Sequence, residues 1–223
     1  FHALLDALLP HVDERVAYLS IGNEVDVYLA LHPEEWPAYQ DFYHDAVAYV
    51  HRLVPRLKVG VTTTFNGTQG QAAHHLAALN TASDVFILTY YPLDEQFIPR
   101  SPKAPLIDFP KMVALANGKP LILQEVGYPS SELLASSEQA QAQFITNVFN
   151  AWKAAGERIP FLNVFLMHDL NRETCEWFAT YYGLPDVANF KAFLCSLGLR
   201  RTNGTPKLGW QTFVTNSTVV GLR

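Results

Sequence analysis

Five short apolar runs, set apart by stretches of helical periodicity, restrict this chain to a largely parallel sheet with helical crossovers. The runs are "VAYLSIGNE" (16–24), "LKVGVTTTF" (57–65), "DVFILTYYP" (84–92), "PLILQEVGYP" (120–129) and "FLNVFLMHD" (161–169). Each is rich in β-branched or aromatic residues and nearly continuous in hydrophobicity, as suits a strand buried on both faces. Between them, Trp36, Tyr39, Tyr43, Val47, Val50 and Val54 recur at helical steps within 34–54, with Pro33 at the first turn and Pro55 as the stop. The stretch 137–155 follows Ser136, with Gln139 three residues on, a capping-box spacing. A helix over 185–197 is expected to end at Gly198 as its C′ glycine, and shorter helices fill 69–79 and 109–117.

Strand–helix alternation implies right-handed βαβ crossovers. Strands centred near residues 20 and 165 give about 36 residues per unit, so that eight units need roughly 290 residues, within the range of a (β/α)8 barrel. The expected fold is therefore α/β, a (β/α)8 TIM barrel of which residues 1–223 cover strands 4–8 and their helices as one incomplete domain. A smaller doubly wound sheet is the structural alternative. The opening "FHALLDALLP" reads as a helix already under way, with no signal peptide visible in it. The tail "LGLRRTNGTPKLGWQTFV" (197–214) holds an Asn-Gly turn signal and favours the barrel.

Composition removes several classes of function. The net charge is −5 and no run of Lys or Arg exists to track phosphates, so nucleic acid is not an expected partner. No apolar run reaches the roughly 18–20 residues of a membrane span, so no membrane is expected either. Cys175 and Cys195 either pair across a loop of about 20 residues, worth roughly 3 kcal/mol, or remain separate buried thiols. Compartment stays open between secreted and cytoplasmic.

In βα folds ligands bind beyond the carboxyl ends of the strands. Polar groups gather at those ends here: Asn23 and Glu24, then Thr63, Thr64 and Asn66, then Tyr90 and Tyr91, then Glu125 and Tyr128, and last His168 and Asp169. Two carboxylates at one mouth suit glycoside hydrolysis, one protonating the leaving oxygen and the other attacking the anomeric carbon or activating water. A retaining mechanism needs the carboxyls about 5–5.5 Å apart and an inverting one about 6.5–9.5 Å. Trp36, Tyr91, Phe97 and Trp177 are candidates to stack on sugar rings. His44, His51, His74 and His75 lack the HExxH spacing of a metal site, and no Gly-rich phosphate loop or GxSxG elbow is present. No metal or organic cofactor is expected. Asn66, Asn203 and Asn216 open N-glycosylation sequons.

"IGNEV" (21–25) and "QEVGYPS" (124–130) resemble the acid/base and nucleophile strands of the retaining clan A glycoside hydrolases, whose Asn-Glu pair ends the fourth strand and whose second Glu ends the seventh. The resemblance covers the whole chain, read as strands four to eight. GNEV and E-x-G-x-P-S are similar to family 17 endo-β-1,3-glucanases; "TYYPL" (89–93) with GNE and E-x-x-Y-P is similar to family 53 endo-β-1,4-galactanases. The resemblance implies Glu24 as general acid/base, Glu125 as nucleophile, Asn23 as a hydrogen-bond partner of the sugar 2-hydroxyl, and Tyr90 as the group that holds Glu125 ionised and oriented. It implies a β-glycan or β-glycoside substrate cleaved by double displacement. The chain departs from the clan at its last strand, where Phe165–Asp169 stands in place of a sugar-stacking Trp and His168 takes the polar contact. Strands one to three, which bring an Arg to the clan's site, are not in the chain. Another chain, a second copy through self-association, or no completion at all then follows, the last leaving a carbohydrate-binding barrel remnant.

Overall fold

The computed structural model describes residues 1–219. In chain order these form α1 (His2–Leu8), β1 (Tyr18–Ser20), α2 (Val25–Leu31), α3 (Trp36–Leu53), β2 (Lys58–Gly60), β3 (Thr62–Thr64), α4 (Ala73–Ala82) and β4 (Phe86–Tyr90). There follow α5 (Ala104–Leu115), β5 (Leu121–Val126), α6 (Glu138–Ala155), β6 (Phe161–Val164), α7 (Arg172–Tyr181), α8 (Ala188–Leu194) and α9 (Leu208–Val219). The chain divides into two compact units. The first comprises 1–90, 113–124 and 157–162, and the second 91–112, 125–156 and 163 onward. Among the described residues no helix is long and apolar enough to cross a membrane.

The five apolar runs all become strands. The run 57–65 supplies two, because β2 and β3 are separated only by Val61. β1 pairs with β2 in parallel, Leu19 opposite Val59, and β3 pairs with β4 in parallel, Thr63 opposite Leu88. The second sheet runs in the order β3-β4-β5-β6. Every residue of β4 is buried, which accounts for its unbroken apolar sequence.

In the first unit α3 forms as its periodicity predicts. Trp36, Tyr43, Ala46, Val47 and Val50 turn one face into a core shared with Leu5, Leu29, Val59 and Leu76, and the helix stops before Pro55. The Tyr43 hydroxyl shares a 2.6 Å bond with Ser83, so this buried phenol is satisfied. α2 begins directly after the Asn-Glu pair, at residues read from the sequence as the end of a strand.

In the second unit α6 is capped by Ser137, not Ser136: the Ser137 hydroxyl accepts the Ala140 N–H at 3.1 Å. Ser136 is buried and donates to the Pro129 carbonyl at 2.7 Å, so its hydroxyl is committed elsewhere; with the cap at Ser137 the third helical residue is Ala140, which cannot complete a capping box. α8 ends at Leu194, four residues short of Gly198. Gly198 serves close approach instead, since a Cβ there would stand 2.1 Å from the Asp169 nitrogen. α7 is joined to the residue after α8 by a Cys175–Cys195 disulfide with a Cα separation of 5.9 Å. The tail is held by Lys207, whose Nζ donates to Asp169 at 2.6 Å and to the Ser130 hydroxyl at 3.0 Å. Burial pushes the Lys207 ammonium down and the Asp169 carboxyl up, with their mutual attraction opposing both shifts. α9 then packs on α6, with Phe213 edge-on to Phe149 at 5.7 Å.

Candidate active site

In the first unit the interior face of the strands changes character along their length. Val85, Ile87 and Ile122 form an apolar cluster with Tyr18 packed against it. One step further toward the carboxyl ends, the Ser20 and Thr62 hydroxyls lie 2.6 Å apart, and Thr62 donates to Gln124 Oε1 at 2.6 Å. Gln124 Nε2 in turn donates to Asn23 Oδ1 at 2.8 Å. Glu24 comes next, its Oε1 accepting from the Thr89 hydroxyl at 2.6 Å.

The loop that carries Asn23 and Glu24 is tightly constrained. Tyr39 donates to the Ile21 carbonyl at 2.9 Å, and Ser20 donates to the Gly22 carbonyl at 2.9 Å. Gly22 has φ +95, and a Cβ on it would stand 2.6 Å from the Tyr39 oxygen, so only glycine fits. Glu24 itself is left-handed, with φ 47 and ψ 43. A non-glycine residue pays roughly 1–2 kcal/mol for that conformation, and such strain gathers at functional positions. The turn is fixed from the far side by Asp26, which is 4% exposed and accepts the Thr64 N–H at 2.9 Å and the Thr64 hydroxyl at 2.6 Å. Burial pushes the Asp26 carboxyl up in spite of these donors.

In the second unit Glu125 accepts from the Tyr91 hydroxyl at 2.6 Å. The Tyr91 ring is wedged edge-on against Phe193 at 5.3 Å and Phe165 at 6.4 Å. Gly127 makes room for it: a Cβ there would meet Tyr91 Cε1 at 2.6 Å and the Phe165 carbonyl at 2.7 Å. The peptide between Phe165 and Leu166 is cis.

Three expected site residues, Tyr90, Trp36 and Tyr128, are placed differently from their sequence reading. The hydroxyl donated to Glu125 comes from Tyr91, whereas Tyr90 is fully buried with its ring edge-on to Phe65. Side chains alternate along a strand, so a shift of one residue exchanges the core face for the other. Trp36 is 3% exposed and stacks on His75 at 4.5 Å within the core, which removes it from any sugar ring. Tyr128 is 4% exposed, donates to the Arg100 carbonyl at 2.7 Å and stacks on Phe144, a packing role that pushes its phenol up to about 12. His168 is exposed, and its backbone pairs with Arg200.

Thr62, Thr89 and Gln124 were not singled out by the sequence, because hydroxyls and an amide inside apolar runs read as ordinary strand residues. Their signal is that three polar residues lie on strands otherwise buried in hydrocarbon, where an unsatisfied group is costly. Among the described residues, one trio offers metal-ligand atoms within 4.8 Å of one another, His32, Glu34 and Glu35. It lies on the surface, where Tyr28 stacks on His32 and donates to Glu35 at 3.3 Å.

No family model matches the chain, and no curated protein matches it either. Solved structures do. The exo-β-1,4-mannosidase Op5Man5 from Opitutaceae bacterium strain TAV5 matches 98% of this chain and 39% of its own, at 14% identity and a TM-score of 0.71. GH5_18 from Streptomyces cattleya, in complex with GlcNAc, matches 89% of this chain and 47% of its own, at 16% identity and a TM-score of 0.64. A GH2 β-galacturonidase from Eisenbergiella tayi, bound to glycerol, matches 81% and 30%, at 13% identity and a TM-score of 0.55. The chain thus spans less than half the length of these proteins. At such identities the likeness is one of fold: an α/β chain with parallel strands that forms part of a glycosidase-type barrel.

Proposed function

We propose that this chain carries the catalytic strands of a retaining β-glycosidase of the clan A type, acting on a β-glycan or β-linked oligosaccharide. The observation that carries the reading is Glu125 at the end of β5, held by the Tyr91 hydroxyl at 2.6 Å in a chain of glycosidase-type fold. A hydrogen bond from the phenol fixes the carboxylate's orientation, as a nucleophile requires. Glu24 is supported independently by its strained backbone and by Thr89, whose place in the chain is two residues before Tyr91. The motif resemblance to families 17 and 53 supports the same pairing of roles.

In this reading the Glu125 carboxylate attacks the anomeric carbon while the glycosidic C–O bond breaks and Glu24 gives its proton to the departing oxygen. Water then enters, losing its proton to Glu24, and displaces Glu125 to release the sugar with its configuration retained. Glu24 and Glu125 carry these steps by proton transfer and covalent catalysis.

The test uses aryl β-glycosides with Glu125→Ala and Glu24→Ala. Glu125→Ala abolishes turnover, and added azide restores it while yielding a glycosyl azide of inverted configuration. Glu24→Ala lowers rates on poor leaving groups by roughly 10²–10⁴-fold and leaves activated aryl glycosides far less affected. A folded Glu125→Ala protein with no azide product removes Glu125 as nucleophile. Oligosaccharide binding without cleavage, unchanged in Glu125→Gln, replaces the reading with a carbohydrate-binding barrel remnant.

A further inference from the structure

Asp26 lies two residues beyond the proposed acid/base and is buried on α2 together with Val25 and Leu29. Those two neighbours join an apolar core, and a carboxylate buried beside them costs free energy that its hydrogen bonds must offset. Thr64 of β3 supplies two of them. Its N–H reaches Asp26 Oδ1 at 2.9 Å and its hydroxyl reaches Oδ2 at 2.6 Å, which fixes the carboxyl in both place and rotation. Thr64 gives its single hydroxyl proton to Asp26, and its oxygen accepts the Gly67 N–H at 2.8 Å. Gly67 closes the far side, where a Cβ would stand 2.1 Å from Asp26 Oδ2. Thr64 is the ladder partner of Thr89 on β4, so the two side chains leave the sheet on one face. Thr89 gives its own hydroxyl proton to Glu24 Oε1 at 2.6 Å. Two hydroxyls side by side on the sheet thus hold the carboxyls of Glu24 and Asp26, and the left-handed turn at Glu24 is pinned through both.

We propose that Asp26 is a positioning residue that acts through Thr64: it clamps the turn of Glu24 to β3 and so aims the Glu24 carboxyl at the departing oxygen. The inference rests on the glycosidase reading for what Glu24 does, while the clamp itself stands without it. A strained backbone such as that of Glu24 persists only where the surrounding bonds over-determine it. Without the clamp the turn relaxes toward a negative φ, and the Glu24 side chain swings away from Thr89. Glu125 keeps its own partner, Tyr91, in the second unit. The loss therefore falls on proton transfer to the leaving group and spares the attack of the nucleophile. A merely structural role for Asp26 slows every substrate alike.

The experiment compares kcat/KM on the phenyl and dinitrophenyl β-glycosides of one sugar. Dinitrophenolate departs without a proton, whereas phenol needs one from Glu24. In Asp26→Ala the phenyl-to-dinitrophenyl ratio falls roughly ten- to hundredfold, as expected for a catalytic group displaced by about 1 Å. Gly67→Ala, whose new Cβ drives Asp26 off Thr64, lowers it in the same direction. Thr64→Val, which keeps the shape and removes one of the two bonds, lowers it by a smaller factor. The last two variants decide the matter if Asp26→Ala does not fold, and an unchanged ratio in both, folded, overturns the proposal. A crystal structure of Gly67→Ala tests the clamp without any turnover. Glu24 out of hydrogen-bond reach of Thr89 supports it, and Glu24 still on Thr89 with a left-handed backbone overturns it. Absence of phenol and dinitrophenol release from wild type, with Glu24 displaced in that crystal structure, removes the glycosidase reading and leaves the clamp standing.

Discussion

At the residue scale, Glu125 depends on one neighbour that the chain places with a glycine. Tyr91 reaches it only because Gly127 lacks a Cβ, which would stand 2.6 Å from the ring. Tyr91→Phe keeps the aromatic packing on Phe165 and Phe193 and removes the donor. A hydrogen bond to a charged group contributes about 1.5–3 kcal/mol, so kcat/KM on an aryl glycoside is expected to fall roughly ten- to hundredfold, with a loss of folding stability no larger than that energy. Gly127→Ala displaces the ring by overpacking and costs about 1–3 kcal/mol in urea denaturation together with a comparable loss of rate. In the double variant the two rate losses do not add, because both act through the same bond. Additive losses would mean that Gly127 acts on something other than Tyr91.

At the scale of elements, the most demanding part of the second unit is its run of short helices after β6. α7 buries only Cys175 and Ala179 on its inner face, and α8 has seven residues, too few to stand alone in water. The disulfide between Cys175 and Cys195 joins them across 20 residues. Closing a loop of that length restricts the unfolded chain by roughly 3 kcal/mol. Replacing both cysteines with alanine should lower stability by about that amount, read as a shift in urea midpoint. Wild type treated with a reductant should match the variant. A midpoint within 0.5 kcal/mol of wild type (about the error of such a measurement) would show that packing around Phe190 and Phe193 already holds these helices.

At the scale of the whole molecule, both units bury tyrosines whose protons the unfolded chain releases sooner. Burial pushes Tyr43 and Tyr128 up to about 12, and Tyr39 higher still. An unfolded tyrosine ionises near pH 10. The folded state therefore keeps protons that the unfolded state loses. The stabilisation is complete below pH 10 and is lost as pH rises through about 12. Each such tyrosine contributes a slope of about −1.4 kcal/mol per pH unit across that window. Urea midpoints measured from pH 9 to 12 should decline with that slope summed over the buried phenols, and a flat profile would contradict their burial.

Much of this was legible in the sequence. The five strands follow from local composition, because a strand covered on both faces must be apolar along its length. Asn23, Glu24 and Glu125 stood out for the complementary reason, as ionisable or amide groups where hydrocarbon was expected. The pairing of Cys175 with Cys195 stayed open, since both partners and both alternatives fit the same spacing. What the tertiary structure alone decided is which of two adjacent side chains faces which way. Tyr91 rather than Tyr90 meets Glu125, Ser137 rather than Ser136 caps α6, and Trp36 turns inward onto His75. The first two depend on a register of one residue, set by the packing of distant segments and invisible to composition or periodicity. Gln124 shows the same limit from the other side. An amide in a buried run declares only that it needs partners, and the fold supplied Thr62 and Asn23, drawn from segments 62 and 101 residues away in the chain.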